Sequence, residues 1–139
     1  MSKNQPVTLT DIFNEVSQAK QKRSRVRKLR EYETFALRTI LQGNYSPKIE
    51  FPFPSGEPPF EKNESNVEPT QEMVSILGSC TKSSKLNTLK KETRFINFLE
   101  SIHYNDARLF CLMKDGELER EYEWLDEELV REAFPNLLP

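Results

Sequence analysis

The chain has 139 residues, a size that suits one domain. Charged residues make up 30% and hydrophobic ones 36%, polar for a compact domain, yet nine Phe and four Tyr supply core volume and exclude a wholly disordered chain. No apolar run approaches the roughly 18 residues of a membrane span and no apolar region follows Met1, so a soluble, intracellular protein without a membrane partner is expected.

The net charge of −2 hides an asymmetry: residues 1–48 carry +6 and residues 49–139 carry −8. In chain order, Thr8 and Asp11 stand in capping-box spacing, with Asp in place of the usual Glu or Gln. Leu9, Ile12, Phe13, Val16 and Ala19 then form one apolar stripe of an amphipathic helix that should dock on the core. Residues 20–30 carry seven cations, Lys20, Lys22, Arg23, Arg25, Arg27, Lys28 and Arg30, against two apolar residues, Val26 and Leu29. Ser24 is expected to cap a short helix here, anchored only by Val26 and Leu29 at i, i+3. Thr34 should cap a helix with Phe35, Ala36, Leu37, Ile40 and Leu41 inward, stopped near Gln42 by a left-handed Gly43.

Residues 44–69 differ in kind, since Pro47, Pro52, Pro54, Pro58, Pro59 and Pro69 remove backbone donors and hold the chain extended. Ile49, Phe51, Phe53 and Phe60 lie among them. The expectation is an extended Pro/Phe-rich arm over residues 48–60, then a mobile loop over 61–68. Beyond it, Pro69 sits at or near a helix start, and Met73, Val74, Ile76 and Leu77 give a short helix closed by Gly78.

The densest apolar pattern spans residues 86–135, the part around which the rest should assemble. Ser84 is expected to cap a long helix over residues 86–102, with Leu86, Leu89, Thr93, Ile96 and Glu100 along one edge and Phe95, Phe98, Leu99 and Ile102 broadening its apolar face. Asn105 should cap a buried helix carrying Ala107, Leu109, Phe110, Leu112 and Met113, with Asp115-Gly116 as the turn behind it. An acidic connector pinned by Leu118, Tyr122 and Trp124 leads to a last helix capped by Asp126 and stopped by Pro135. The fold class is therefore mostly α: a single domain over residues 1–139 with five to seven short helices. Its divisions are N-terminal helices at 8–43, the arm and loop at 44–69, and a helical core at 70–139.

Little in this pattern suggests catalysis. His103 is the only histidine, and its neighbours Glu100, Asp106 and Cys111 fit no familiar ligand spacing, so it is read as interacting with the last carbonyls of the long helix. Cys80 and Cys111 form no Cys-x-x-Cys and are expected as buried or half-buried free thiols. Isolated glycines provide no phosphate loop, and the carboxylates of residues 115–132 read as a solvated acidic face. No enzyme activity, metal or cofactor is expected. The working surface should be the basic stretch, with Lys20, Lys22, Arg23, Arg25, Arg27, Lys28, Arg30 and Arg38 as candidate partner-binding residues. It suits four roles: contact with a protein, contact with nucleic acid phosphates aided by Tyr32 or Phe35, a plain solvated helix face, or an intramolecular match to the acidic C-terminal third.

The motifs Thr8-Leu9-Thr10-Asp11-Ile12-Phe13, Leu29-Arg30-Glu31-Tyr32, Ala36-Leu37-Arg38, Gly56-Glu57-Pro58-Pro59-Phe60, Lys91-Glu92-Thr93-Arg94-Phe95-Ile96 and Val130-Arg131-Glu132-Ala133-Phe134-Pro135 resemble a largely uncharacterised family of small proteins of T-even-like tailed bacteriophages. The resemblance covers nearly the whole chain. It implies a phage protein in the host cytoplasm. By analogy with other small phage accessory proteins, the expected role is non-enzymatic binding to a host or phage protein complex, with the host RNA polymerase and transcription machinery as the first candidate. Direct DNA or RNA binding through residues 20–38, and a place in the virion or its assembly, are the alternatives.

Overall fold

The computed structural model describes residues 6–139. Seven α-helices, with no strand among the described residues, make one mostly helical domain. Helix α1 (Leu9–Ser17) starts at the expected capping box, with Asp11 N–H donating to Thr8 Oγ1 at 3.1 Å and Thr8 N–H to Asp11 Oδ2 at 3.4 Å. Leu9, Ile12, Phe13 and Val16 are buried, and the Phe13 ring stacks on Tyr122 with centroids 4.8 Å apart.

Helix α2 (Lys22–Glu31) begins two residues before Ser24, which therefore lies inside the first turn and caps nothing. Its N-cap residue, Gln21, makes no side-chain cap either. Val26 and Leu29 alone are buried, so the helix rests on a narrow edge between α1 and α7 (Glu127–Ala133). Such a helix depends on its neighbours for stability, because its own sequence buries little apolar surface.

Thr34 caps α3 (Phe35–Tyr45) as expected, but the helix runs through Gly43 instead of stopping there. A Cβ on Gly43 would stand 2.4 Å from Met113 Sδ. The glycine thus serves the close approach of α3 to α6 (Tyr104–Lys114), not a left-handed stop. Positive φ is confined among the described glycines to Gly56 and Gly116.

Residues 46–70 contain no helix or strand. Phe51 is buried, and Phe53 stacks on Phe95 of α5 (Thr88–Ser101) at 5.1 Å. Polar anchors that hydrophobic patterning does not reveal tie down residues 61–63, where a mobile loop was expected. Glu61 N–H donates to Glu100 Oε2 at 2.8 Å, Asn63 Nδ2 to Glu100 O at 3.2 Å, and Tyr104 N–H to Asn63 O at 2.7 Å. Lys114, its side chain nearly inaccessible, donates to Pro54 O at 2.8 Å, while Asp115 Oδ2 accepts from Gly56 N–H.

Of three further starts, one falls where expected and two differ from the sequence reading. Thr70, directly after Pro69, caps α4 (Gln71–Val74), which passes into a 3-10 segment, Ser75–Cys80, that contains Gly78. Ser75 and Ser79 hydroxyls bond back to the carbonyls of Gln71 and Ile76, the kind of local competition that loosens an α-helix. Asn87 caps α5, because Ser84 Oγ is occupied by Leu86 N–H in a preceding turn. Leu86 thus lies outside the helix and Leu89 is 75% exposed, so the edge expected to face inward largely faces water; Phe95, Phe98 and Leu99 make the buried face. His103, not Asn105, is the N-cap of α6, its Nδ1 accepting from Asn105 N–H at 3.0 Å. An imidazole that accepts at Nδ1 serves the start of α6, and the expected role on the last carbonyls of α5 is not what it does.

After Gly116, a 3-10 turn, Leu118–Arg120, buries Leu118, and Tyr122 follows it inward. Asp126 caps α7 through Leu129 N–H at 2.8 Å, and Phe134 and Leu138 close the core. Cys80 and Cys111 are free and buried.

Candidate interaction surface on helix α2

Most of the basic stretch is engaged inside the molecule, though among the described residues only Lys22 pairs with carboxylates of the acidic C-terminal third. Lys22 Nζ donates to Glu128 Oε1 at 2.8 Å and lies 3.8 Å from Glu132 Oε1, which ties the start of α2 to α7; the hydrogen bond to Glu128 raises the lysine pKa. Three more cations meet backbone carbonyls at helix ends, where the last carbonyls lack intrahelical donors and carry partial negative charge. Arg25 Nε donates to Ala19 O at 3.1 Å, just past α1. Lys28 Nζ donates to Glu15 O at 3.0 Å in the last turn of α1, with Glu15 Oε2 at 3.7 Å. Arg30 reaches α7, Nε to Ala133 O at 3.0 Å and Nη2 to Glu132 O at 2.8 Å. α1 has no basic residue in its own last turn, so α2 supplies the cations.

Arg38 pairs with Glu33 at 2.8 Å and its guanidinium lies 6.0 Å from the Phe35 ring centroid. Tyr32 and Phe35 pack half-buried against the core. Of the eight candidate residues, five are thus engaged within the molecule. The remaining three, Lys20, Arg23 and Arg27, are exposed and have no hydrogen-bond or ion-pair partner among the described residues. Arg23 and Arg27 stand one turn apart on a shallow groove of about 680 Å³ lined by Lys22, Arg23, Val26, Arg27, Arg30 and Glu132. Both signs of charge therefore border this groove.

Sequence reasoning missed Asp106. It is fully buried on α6 and accepts from Leu9 N–H at 3.0 Å, Thr10 N–H at 2.9 Å and Thr10 Oγ1 at 2.7 Å. The carboxylate sits at the N-terminus of α1, where backbone donors and the helix dipole favour an anion. Burial pushes its carboxyl above the ordinary carboxylate value, while the Thr10 and Leu9 donors pull it back. A single acid in a helix that is otherwise apolar nearly all round was the available signal.

A second, polar cleft of about 400 Å³ lies between residues 55–57 and α6, with Arg108, Arg120, Asp115 and Glu117 on its walls and Cys111 below. Burial, then the nearby Glu57, pushes the Cys111 thiol up to about 12, so the sulfur stays protonated and is no nucleophile at neutral pH. Among the described residues no group of three or more His, Cys, Asp and Glu is placed to hold a metal ion. Nor is any described helix long and apolar enough to cross a membrane.

These features define a small all-α protein with an externally clamped basic helix. The chain belongs to a family of unknown function, DUF6433, whose pattern it matches over residues 12–120. No match is found among curated proteins or among solved structures.

Proposed function

We propose that the protein is a non-enzymatic phage accessory protein that works in the host cytoplasm by docking on a host or phage protein complex, with the host RNA polymerase and transcription machinery as the first candidate. The choice of partner rests on analogy with other small phage accessory proteins. The observation that supports the mode of action is the division among the eight candidate cations: Lys22, Arg25, Lys28, Arg30 and Arg38 are engaged within the molecule, and Lys20, Arg23 and Arg27 face outward without a partner among the described residues. In this reading residues 48–60 are scaffold, with Phe51 and Phe53 packed on Phe95 of α5.

The same three cations would serve a nucleic acid, and that is the second reading. Against it stand the small number of free cations among the described residues and the presence of Glu132 on the same groove, a mixed-charge surface that suits a protein better than a continuous phosphate chain. An affinity-tagged copy expressed in infected cells should co-purify with a defined protein complex; recovery of the bait alone would sink the proposal. A gel-shift titration at low salt separates the readings, since a nucleic acid binder forms a complex that weakens steeply with added salt.

A further inference from the structure

Resting on that reading, we infer that the groove between α2 and α7 is the seat of an acidic, amphipathic helix of the partner protein. Arg23 and Arg27 are spaced i, i+4, which puts their stems side by side on one face. Val26 beside them is buried, 7% exposed, so the apolar surface of the groove comes mainly from the aliphatic stems of the two arginines. An occupant with two carboxylates one helical turn apart mirrors the arginine pair, and an apolar side chain beside those acids covers the stems. This is the helix-in-groove mode, read by anchors at i, i+3 and i+4.

The groove also selects against competing occupants. Its α7 side carries Glu132, paired with Lys22, so a chain that is negative at every unit gains nothing there, whereas a protein helix can place a Lys or Arg toward that rim. Lys22 and Arg30, already bound to α7, hold the two walls in fixed register, so little ordering is left to oppose docking. Ten residues of α2 extend about 15 Å, enough to meet two to three turns of a partner helix.

The test pans a library of random peptides about 16 residues long against the full chain, with the Arg23→Glu, Arg27→Glu double variant as counter-target. Enriched peptides should carry paired acids one turn apart beside an apolar residue, and should bind the wild-type chain at least about tenfold more tightly than the double variant by fluorescence anisotropy. Failure to enrich any binder, or peptides without acids that bind both chains alike, overturns the inference. So does a single-stranded oligonucleotide that binds more tightly at the same arginines, or self-association of the chain that the double variant abolishes. Circular dichroism and the Tm of the double variant check that its fold is retained, and Arg23→Ala with Arg27→Ala replaces it as counter-target if it is not. Repeating the infected-cell purification with the double variant separates the two levels. Loss of the complex supports the groove; a complex that survives overturns the groove while leaving the proposed function standing; and a wild-type bait that recovers nothing sinks the function beneath it.

Discussion

Helix α1 is held at both ends by groups from elsewhere in the chain, and the two ends are held differently. At its start the buried Asp106 carboxylate from α6 collects three donors within 3.0 Å. At its finish Arg25 and Lys28 from α2 reach carbonyls from a half-exposed position. A buried anion with all its donors in place allows no substitute, because removing it leaves desolvated N–H groups unpaired. Carbonyls at a wet helix end can turn to water instead. Core chemistry thus makes the start of α1 rigid in its demands, while the basic helix has charge to spare.

The comparison breaks most visibly at Asp106. Asp106→Ala should destabilise the protein by about 3 kcal/mol, lowering the Tm by about 10 °C in a thermal scan. Arg30→Ala, which strips two donors from the partly exposed end of α7, should cost about 1 kcal/mol by urea denaturation. A smaller effect separates the charge on Asp106 from its shape. Its folded pKa is raised, so its linkage contribution favours the folded state below the ordinary carboxylate range and is lost as pH rises through the raised value. The stability of the wild type relative to Asp106→Asn should therefore increase between about pH 7 and about pH 4; a flat difference would place the Asp106 value at its unfolded level. The smallest effect is expected for Arg23→Ala with Arg27→Ala, within about 0.5 kcal/mol of wild type by the same denaturation. A larger loss would mean that these two arginines hold the fold as Arg30 does.

What the sequence made legible follows the range of the interaction. Thr8, Thr34 and Asp126 cap as read, because a cap needs only its own side chain and an N–H three residues on. Ser84 and Asn105 fail by the same logic, since a neighbouring group intervenes: Leu86 N–H occupies the serine, and His103 Nδ1 accepts from Asn105 N–H, which puts Asn105 inside the helix. Gly43 was misread because the reason for a glycine there is a methionine on another helix. The basic helix itself was plain from composition. Which of its cations remain free was not, since that depends on where α1 and α7 end in space.

The sole tryptophan sits where these arguments meet. Trp124 Nε1 donates to Ser17 Oγ at 2.8 Å, its ring lies 6.2 Å from Phe13, and the Arg25 guanidinium stands 6.0 Å from its centroid. An indole in contact with the end of α1 and with a cation of α2 is a built-in optical reporter. Its emission should shift when α2 leaves α1, before the ring is released from the core, so the protein carries its own gauge of whether the basic helix stays clamped while a partner docks.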